Sequence, residues 1–267
     1  MSDLPHALRD GEQFAERLGG ARPAVFTDYD GVLTPIVDRP EDALISASMR
    51  EVLRELASRC PVCVVSGRDR AVVQQLMGVD DLVVAGSHGF DIWSPEAGTL
   101  EHEAGSAQAG LIENVTAELD RAVGNVPGVA IEPKKISVAA HYRLVADEGD
   151  RTKVRDAVQQ LLAERPDELK MTPGKMVYEL QPKLDWDKGR AVLYLIDALG
   201  LDGDDVVPLY LGDDITDEDA FQALKGRGIG IYVGSQTDPE RDGRSTAADF
   251  MLDSVAEVER FLDELAR

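Results

Sequence analysis

The chain has 267 residues, enough for one large domain or for a core with an insertion, and its 50 Asp and Glu against 28 Lys and Arg give a formal net charge of −22. That field repels nucleic acid and anionic membrane surfaces, so neither is an expected partner, and any site for a small phosphorylated substrate must carry its own cations. No segment approaches the roughly 18 consecutive apolar residues of a membrane span, and the opening residues hold no basic region followed by an apolar stretch; the expectation is a soluble, cytoplasmic protein.

Residues 1–20 read as a short helix or a loose lead-in, with Phe14 and Leu18 the only apolar spacing. Ala24-Val25-Phe26 is an apolar run of buried-strand length. Directly after it, Asp28-Tyr29-Asp30-Gly31 puts two carboxylates two positions apart at the strand end, where ligands collect in open α/β sheets. A chain still extended at Asp28 would show both side chains on one face, with Gly31 allowing a sharp turn beside them. The same residues also suit an ordinary Asx turn. Two ionised carboxylates this close raise one another's pKa unless a cation sits between them, so the pair asks for a metal such as Mg2+. Residues 48–59 carry a helical period in Met49, Val52, Leu53 and Leu56 behind a Ser cap. The run from Val62 to Val65 is a second buried strand, and Cys60 and Cys63 in and beside it read as small core groups rather than a redox pair. Ser66-Gly67-Arg68 follows, then an amphipathic helix over 69–77 and a third apolar run over 82–85 that ends in Gly86-Ser87-His88-Gly89. Strands ending in polar residues, with helices between them, describe a doubly wound parallel sheet.

From about residue 105 the rhythm changes to a helix over 107–123, a strand pair within 129–144, a helix over 150–163 and two short strands within 168–180. Alternation from Ile136 to Tyr142 predicts a strand with one solvent face, as in an antiparallel sheet. The expected organisation is an α/β core of residues 1–104 and 183–267 with a smaller α/β domain, 105–182, inserted. At Asp185-Trp186-Asp187-Lys188-Gly189 the βαβ pattern resumes with a helix to residue 199, a buried strand over 206–211, the acidic run Asp213-Asp214-Ile215-Thr216-Asp217, a strand over 228–233 and a closing helix over 254–265.

Asp28 with Asp30, Ser66-Gly67-Arg68, Lys188, and Asp213-Asp214 with Asp217 all stand at strand ends or helix starts, and parallel strands bring such ends to one edge. Together they compose phosphoryl transfer through a covalent aspartyl phosphate: one carboxylate attacks phosphorus, a metal and a lysine neutralise the equatorial oxygens, and a hydroxyl with backbone N–H groups cradles the phosphate. In this order the four segments resemble the motifs of the haloacid dehalogenase superfamily. The segments Ser137 to Arg143, Gly174 to Leu180 and Asp185 to Gly189 narrow the resemblance to the trehalose-6-phosphate phosphatases, over nearly the whole chain beyond the first twenty residues.

The resemblance implies Mg2+ as cofactor, trehalose 6-phosphate as substrate, a mixed α/β cap closing over the sugar, and functional pairing with a trehalose-phosphate synthase. It gives Asp28 the roles of nucleophile and metal ligand, and makes Asp30 the general acid/base that also lends its carbonyl to the metal. It sets Ser66, Gly67, Arg68 and Lys188 on the phosphate, and Asp213 and Asp214 at the metal, with Asp217 orienting Lys188. Glu132, Lys134 and Glu179 match positions that grip sugar hydroxyls, Arg143 and Lys175 match more loosely, and His88 with Gly89 matches a pair beside the sugar site. Three residues depart from the family pattern: Asp91, where Glu is common, Lys135, where Gly is common, and Gln181, where a basic residue often stands. The competing readings are another sugar-phosphate phosphatase, a phosphohexomutase of the same fold, and a non-catalytic partner of the synthase. The last fits poorly with a chain that has Asp28, Asp30, Lys188 and Asp213 all in place.

Overall fold

The computed structural model describes residues 4–37, 39–101, 109–174, 176–235 and 245–267. They form two compact units, the first made of Met1–Leu100 with Trp186–Arg267, the second of Glu101–Asp185.

The first unit is built on strands β1 (Arg22–Thr27), β2 (Val62–Val65), β3 (Val83–Gly86), β4 (Asp91–Ser94), β5 (Gly98–Glu101), β10 (Val206–Gly212), β11 (Ile229–Val233) and β12 (Phe250–Leu252). They lie in the order β12-β11-β10-β1-β2-β3-β4-β5, parallel from β12 to β3, with β4 antiparallel to β3. The strands are apolar on both faces because helices cover both. Val25, Val64, Leu209 and Leu211 pack with Met49, Leu53 and Leu56 of α2 (Ala47–Ala57), Val73 and Met77 of α3 (Arg70–Met77), and Val258, Phe261 and Leu262 of α8 (Val255–Leu265). Their neighbours Ala24, Phe26, Cys63, Val65 and Tyr210 face the other way, onto α6 (Lys188–Ala198) and α7 (Glu218–Ala223). Cys63 thus sits in one layer and Cys60 in the other, both unbonded. Burial pushes the Cys60 thiol up to about 11 and Cys63 further. Both behave as core groups.

The lead-in contains a short helix, α1 (Gly11–Leu18), and is tied to the chain's end through His6. His6 Nδ1 accepts the N–H groups of Leu8 and Arg9 at 3.2 Å each, which assigns the ring proton to Nε2, the donor to Glu257 at 2.8 Å. A ring held in this way is a structural tie; it has no lone pair left for a metal.

In the second unit β6 (Ala130–Pro133), β7 (Val138–His141), β8 (Leu169–Gly174) and β9 (Val177–Pro182) make an antiparallel sheet in the order β6-β7-β9-β8. One face carries Val138, Ala140 and Leu180 against α4 (Ala109–Val123) and α5 (Glu148–Glu164), through Val115, Leu119, Val154 and Val158. The opposite face follows from the period of two: Glu132, Ala139, Glu179 and Thr172 stand in one cross-strand row. The helix expected over 107–123 is described from Ala109 onward, and the expected boundary at 104/105 lies outside the described residues. Among the described residues no helix is long and apolar enough to cross a membrane.

Candidate active site

β1 has β2 on one side and β10 on the other, so the order of connection reverses at β1, and the carboxyl ends of these three strands carry Asp28, Ser66 and Asp213. This is the switch-point crevice of an open α/β sheet. The strand stops at Thr27, one residue earlier than a shared face for Asp28 and Asp30 requires. The chain then folds into a turn in which Leu33 and Thr34 N–H groups reach the Tyr29 carbonyl, and Gly31 N–H reaches Thr34 O at 2.8 Å. Asp28 N–H still reaches Leu211 O of β10 at 2.9 Å, so the chain leaves the sheet at Asp28 and the turn begins at Tyr29, between the two acidic residues. Gly31 adopts φ 74°, and a Cβ there would lie 1.9 Å from Asp213 Oδ2, so backbone must pass where any side chain would collide with the carboxylate.

Asp28 is buried, with Oδ1 accepting Tyr29 N–H at 2.7 Å and Oδ2 accepting Lys188 Nζ at 2.7 Å. Lys188 opens α6 with only 2% of its surface exposed. A cation at a helix N-terminus opposes the dipole, and two carboxylates offset that cost: Asp28, and Asp217 Oδ1 at 2.7 Å. Asp217 is fully committed. Its Oδ1 also accepts the Tyr210 hydroxyl at 2.7 Å, and its Oδ2 accepts the N–H groups of Asp213 and Asp214 at 3.0 and 2.9 Å. Burial and the Asp217 charge hold the Tyr210 hydroxyl well above its ordinary range, so it stays a donor.

Asp28, Asp213 and Asp217 place carboxylate oxygens within 4.8 Å of one another. The one ammonium among them bonds Asp28 and Asp217. Burial raises Asp28 to about 7, against the pull of Lys188, and burial with the charges of Asp28 and Asp217 raises Asp213 to about 8. Lys188 moves upward as well, because those two carboxylates outweigh its desolvation. The lysine is held ionised, and the negative charge around it is still in excess. Asp213 Oδ1 is moreover buried without a hydrogen-bond partner among the described residues. A buried, unpartnered carboxylate oxygen beside a second buried carboxylate fits a hard divalent cation, whose ligands are oxygens. Asp214 turns Oδ1 to its neighbour's N–H on Ile215 at 2.6 Å and caps the short turn Ile215–Asp217.

Asp30 and Arg68 form a bidentate pair, with Nε to Oδ2 and a terminal nitrogen to Oδ1 both 2.6 Å, while the other terminal nitrogen reaches Pro40 O at 2.7 Å. Arg68, expected on phosphate, has its guanidinium engaged there. Ser66 Oγ accepts Arg68 N–H at 3.2 Å, leaving its own hydrogen to donate. His88 lies against Gly67, where a Cβ would be 2.8 Å from the imidazole Cε1. Ser87, His88 and Gly89 have φ of 50°, 57° and 92°, and left-handed backbone at non-glycine residues costs roughly 1–2 kcal/mol each, so this turn is held by its surroundings. In the second unit, Glu179 Oε1 accepts Ser137 Oγ at 2.6 Å and Lys134 Nζ at 3.2 Å, and Glu132 pairs with His141 at 2.7 Å. Arg143 follows β7 and is exposed, and Lys175 lies outside the described residues. Of the three departures, Asp91 pairs with Arg70 at 3.2 Å and Gln181 is buried opposite Lys170, while Lys135 sits in the turn between β6 and β7.

The first unit therefore gathers Asp28, Asp30, Ser66, Gly67, Arg68, His88, Gly89, Lys188, Asp213, Asp214 and Asp217, and the second carries Glu132, Lys134, Arg143 and Glu179. Tyr210 and Ser137 were not among the expected residues. Tyr210 is masked by a uniformly apolar strand, whereas Ser137, a polar residue opening an alternating strand, was legible in principle.

The family model described as trehalose-phosphatase matches residues 26–256. Over its whole length the chain is 43% identical to the trehalose-phosphate phosphatase of Mycobacterium tuberculosis, of which it covers 67%. The C-terminal domain of the C. albicans trehalose-6-phosphate phosphatase superposes with a TM-score of 0.77 at 24% identity, with 98% of each chain covered. The C-terminal domain of a Candida albicans trehalose synthase regulatory protein gives 0.74 at 12% identity, covering 98% of this chain and 100% of that one, a likeness of fold alone. Fold and relatives define a phosphoric monoester hydrolase with a parallel-sheet α/β core and an inserted smaller α/β domain. Within that class, the chain belongs to the trehalose-phosphatase family.

Proposed function

We propose that the protein hydrolyses trehalose 6-phosphate to trehalose and phosphate through an aspartyl phosphate on Asp28, with Mg2+ as cofactor. The observation that carries the proposal is the buried Asp28 carboxylate, held by Lys188 and the Tyr29 N–H beside the unpartnered Asp213 Oδ1. Asp28 and Asp213, with the Asp30 carbonyl and Asp214, would hold the metal. Bound there, Mg2+ supplies positive charge to the phosphoryl oxygens in a site whose own charge is in excess negative. Lys188 and the Ser66 hydroxyl, with the N–H group of Gly67, bind and orient the phosphate, and the Arg68 guanidinium joins them when it leaves Asp30. An Asp28 oxygen bonds to phosphorus as the bond from phosphorus to the sugar oxygen breaks, and Asp30 protonates that departing oxygen. Asp30 then takes a proton from water, whose oxygen displaces Asp28 and releases phosphate. Because both Asp30 oxygens lie in the Arg68 fork, proton transfer requires that fork to open when phosphate arrives.

The disaccharide hydroxyls are assigned to Glu132, Lys134 and Glu179 on the polar face of the inserted domain, 105–182, with Arg143, Lys175, His88 and Gly89 as further sugar-side residues. Supply of the substrate by a trehalose-phosphate synthase, in the cytoplasm, belongs to the same proposal. The presence of Asp28, Lys188, Asp213 and Asp217 in one connected cluster favours catalysis over a non-catalytic role. The test is phosphate release over a panel of sugar phosphates, including hexose phosphates, with Mg2+, after exhaustive chelation and after Mg2+ is restored. Trehalose 6-phosphate should lead the panel, chelation should abolish release and Mg2+ should return it. Undiminished release after chelation, or preference for a hexose phosphate, would overturn the reading.

A further inference from the structure

The left-handed turn Ser87-His88-Gly89 packs on the Ser66-Gly67-Arg68 loop through two backbone hydrogen bonds, Ser87 N–H to Arg68 O at 2.7 Å and His88 N–H to Ser66 O at 2.8 Å. In a trans peptide the carbonyl and the following N–H point in opposite directions. Pinning Ser66 O toward the turn therefore aims Gly67 N–H away from it, and pinning Arg68 O does the same for Asp69 N–H. The His88 ring lies against Gly67, where a Cβ would meet the imidazole Cε1 at 2.8 Å. Two residues in left-handed backbone do not stay there on local preference. Ser87 Oγ holds Asp69 Oδ1 at 3.0 Å on one flank. On the other, the Trp186 indole donates Nε1–H to His88 O at 3.0 Å, while its ring meets Phe90 and Tyr194 with centroids 5.5 and 6.1 Å apart. Trp186 stands two residues before Lys188, so the clasp on the turn and the lysine of the site leave from the same helix start.

We propose that Trp186 is a positioning residue: its indole N–H locks the Ser87–Gly89 turn, and the turn in turn fixes the direction of the Gly67 N–H that receives phosphate. The inference rests on the assignment of Ser66-Gly67-Arg68 to phosphate, and it adds a residue outside that loop on which the loop's affinity depends. Trp186 touches neither phosphate nor sugar in this account.

Trp186→Phe removes the N–H and keeps an aromatic ring beside Phe90 and Tyr194. Calorimetric titration of the full-length protein with inorganic phosphate, in Mg2+, should show affinity about tenfold weaker than the parent's, with the melting transition within a few degrees. Phe90→Leu is the control, since it removes a ring contact and leaves the hydrogen bond; it should lower the melting temperature with phosphate affinity at the parental value. Should Trp186→Phe lose its cooperative transition, Ser87→Ala removes only the bond to Asp69, and its phosphate affinity should fall about threefold. Parental phosphate affinity in Trp186→Phe, or in Ser87→Ala where the first does not fold, would overturn the proposal. So would an equal loss in Phe90→Leu, which would reduce Trp186 to a packing residue. The readout is binding of phosphate, so it stands apart from sugar choice. If the parent prefers another sugar phosphate, the functional reading fails while the clasp is still decided by phosphate.

Discussion

The carboxylate cluster of the first unit and the polar sheet face of the second hold charge in opposite ways. Lys188 and Asp217 are almost fully buried and every oxygen of Asp217 is used, whereas the Glu132 and His141 side chains, joined at 2.7 Å, are 53% and 39% exposed. Breaking a buried pair by removing one partner costs about 3–5 kcal/mol, while an exposed pair contributes roughly 0–1 kcal/mol. The first arrangement cannot rearrange without loss, and a reacting phosphorus needs groups that do not rearrange. The Glu132–His141 pair can exchange its partner at small cost, while Glu179, only 15% exposed and held by Lys134 and Ser137, is fixed more firmly.

The sharpest break in this contrast is Asp28→Asn. The amide keeps the volume and removes the attacking charge, so kcat should fall by more than about a thousandfold, over ~4 kcal/mol of barrier, with circular dichroism unchanged. Turnover within about tenfold of the parent on a small aryl phosphate would exclude an aspartyl phosphate.

A smaller and selective loss is expected from Glu179→Ala. Hydrogen bonds to charged groups are worth roughly 1.5–3 kcal/mol, so kcat/KM for trehalose 6-phosphate should drop about tenfold or more while that for the aryl phosphate stays near the parent's. Equal losses on both substrates would place Glu179 in the service of the fold, and the contrast between the two regions would lose its meaning for specificity.

The smallest effect tests whether the buried cluster tolerates any slack. Tyr210→Phe deletes one of four donors to Asp217 and leaves Lys188 in place. Both substrates should lose about three- to tenfold in kcat, a fraction of what a full charged hydrogen bond contributes. A parental kcat would mean that the two backbone N–H groups alone hold Asp217 for Lys188.

What the sequence disclosed and concealed follows from how each part is held. The parallel core was legible because its strands are short apolar runs that end in Asp, Ser or Gly, with amphipathic helices between them. The acidic turn was legible as a strand end with a turn at Gly31, and the two bonds to Tyr29 O add that the turn starts already at Tyr29. The hairpin β4–β5 went unread because no apolar run of strand length marks it, and β12 because three residues carry no period. Trp186 and Tyr210 were silent for a different reason. An indole N–H or a phenol hydroxyl acts through one atom of a side chain that otherwise counts as apolar, and periodicity registers only the apolar part.

β1 pairs with β2, about forty residues further along the chain, and also with β10, whose first residue, Val206, comes 184 positions after Arg22. During synthesis the second unit is contiguous and can complete its own sheet while one edge of β1 still waits for a partner. That edge is a row of open backbone groups flanked by Val25 and Phe26, the kind of surface that recruits other strands. Until β10 emerges, the strand that delivers Asp28 is therefore the most exposed to mispairing, and a chain that ended before Val206 would leave it so permanently.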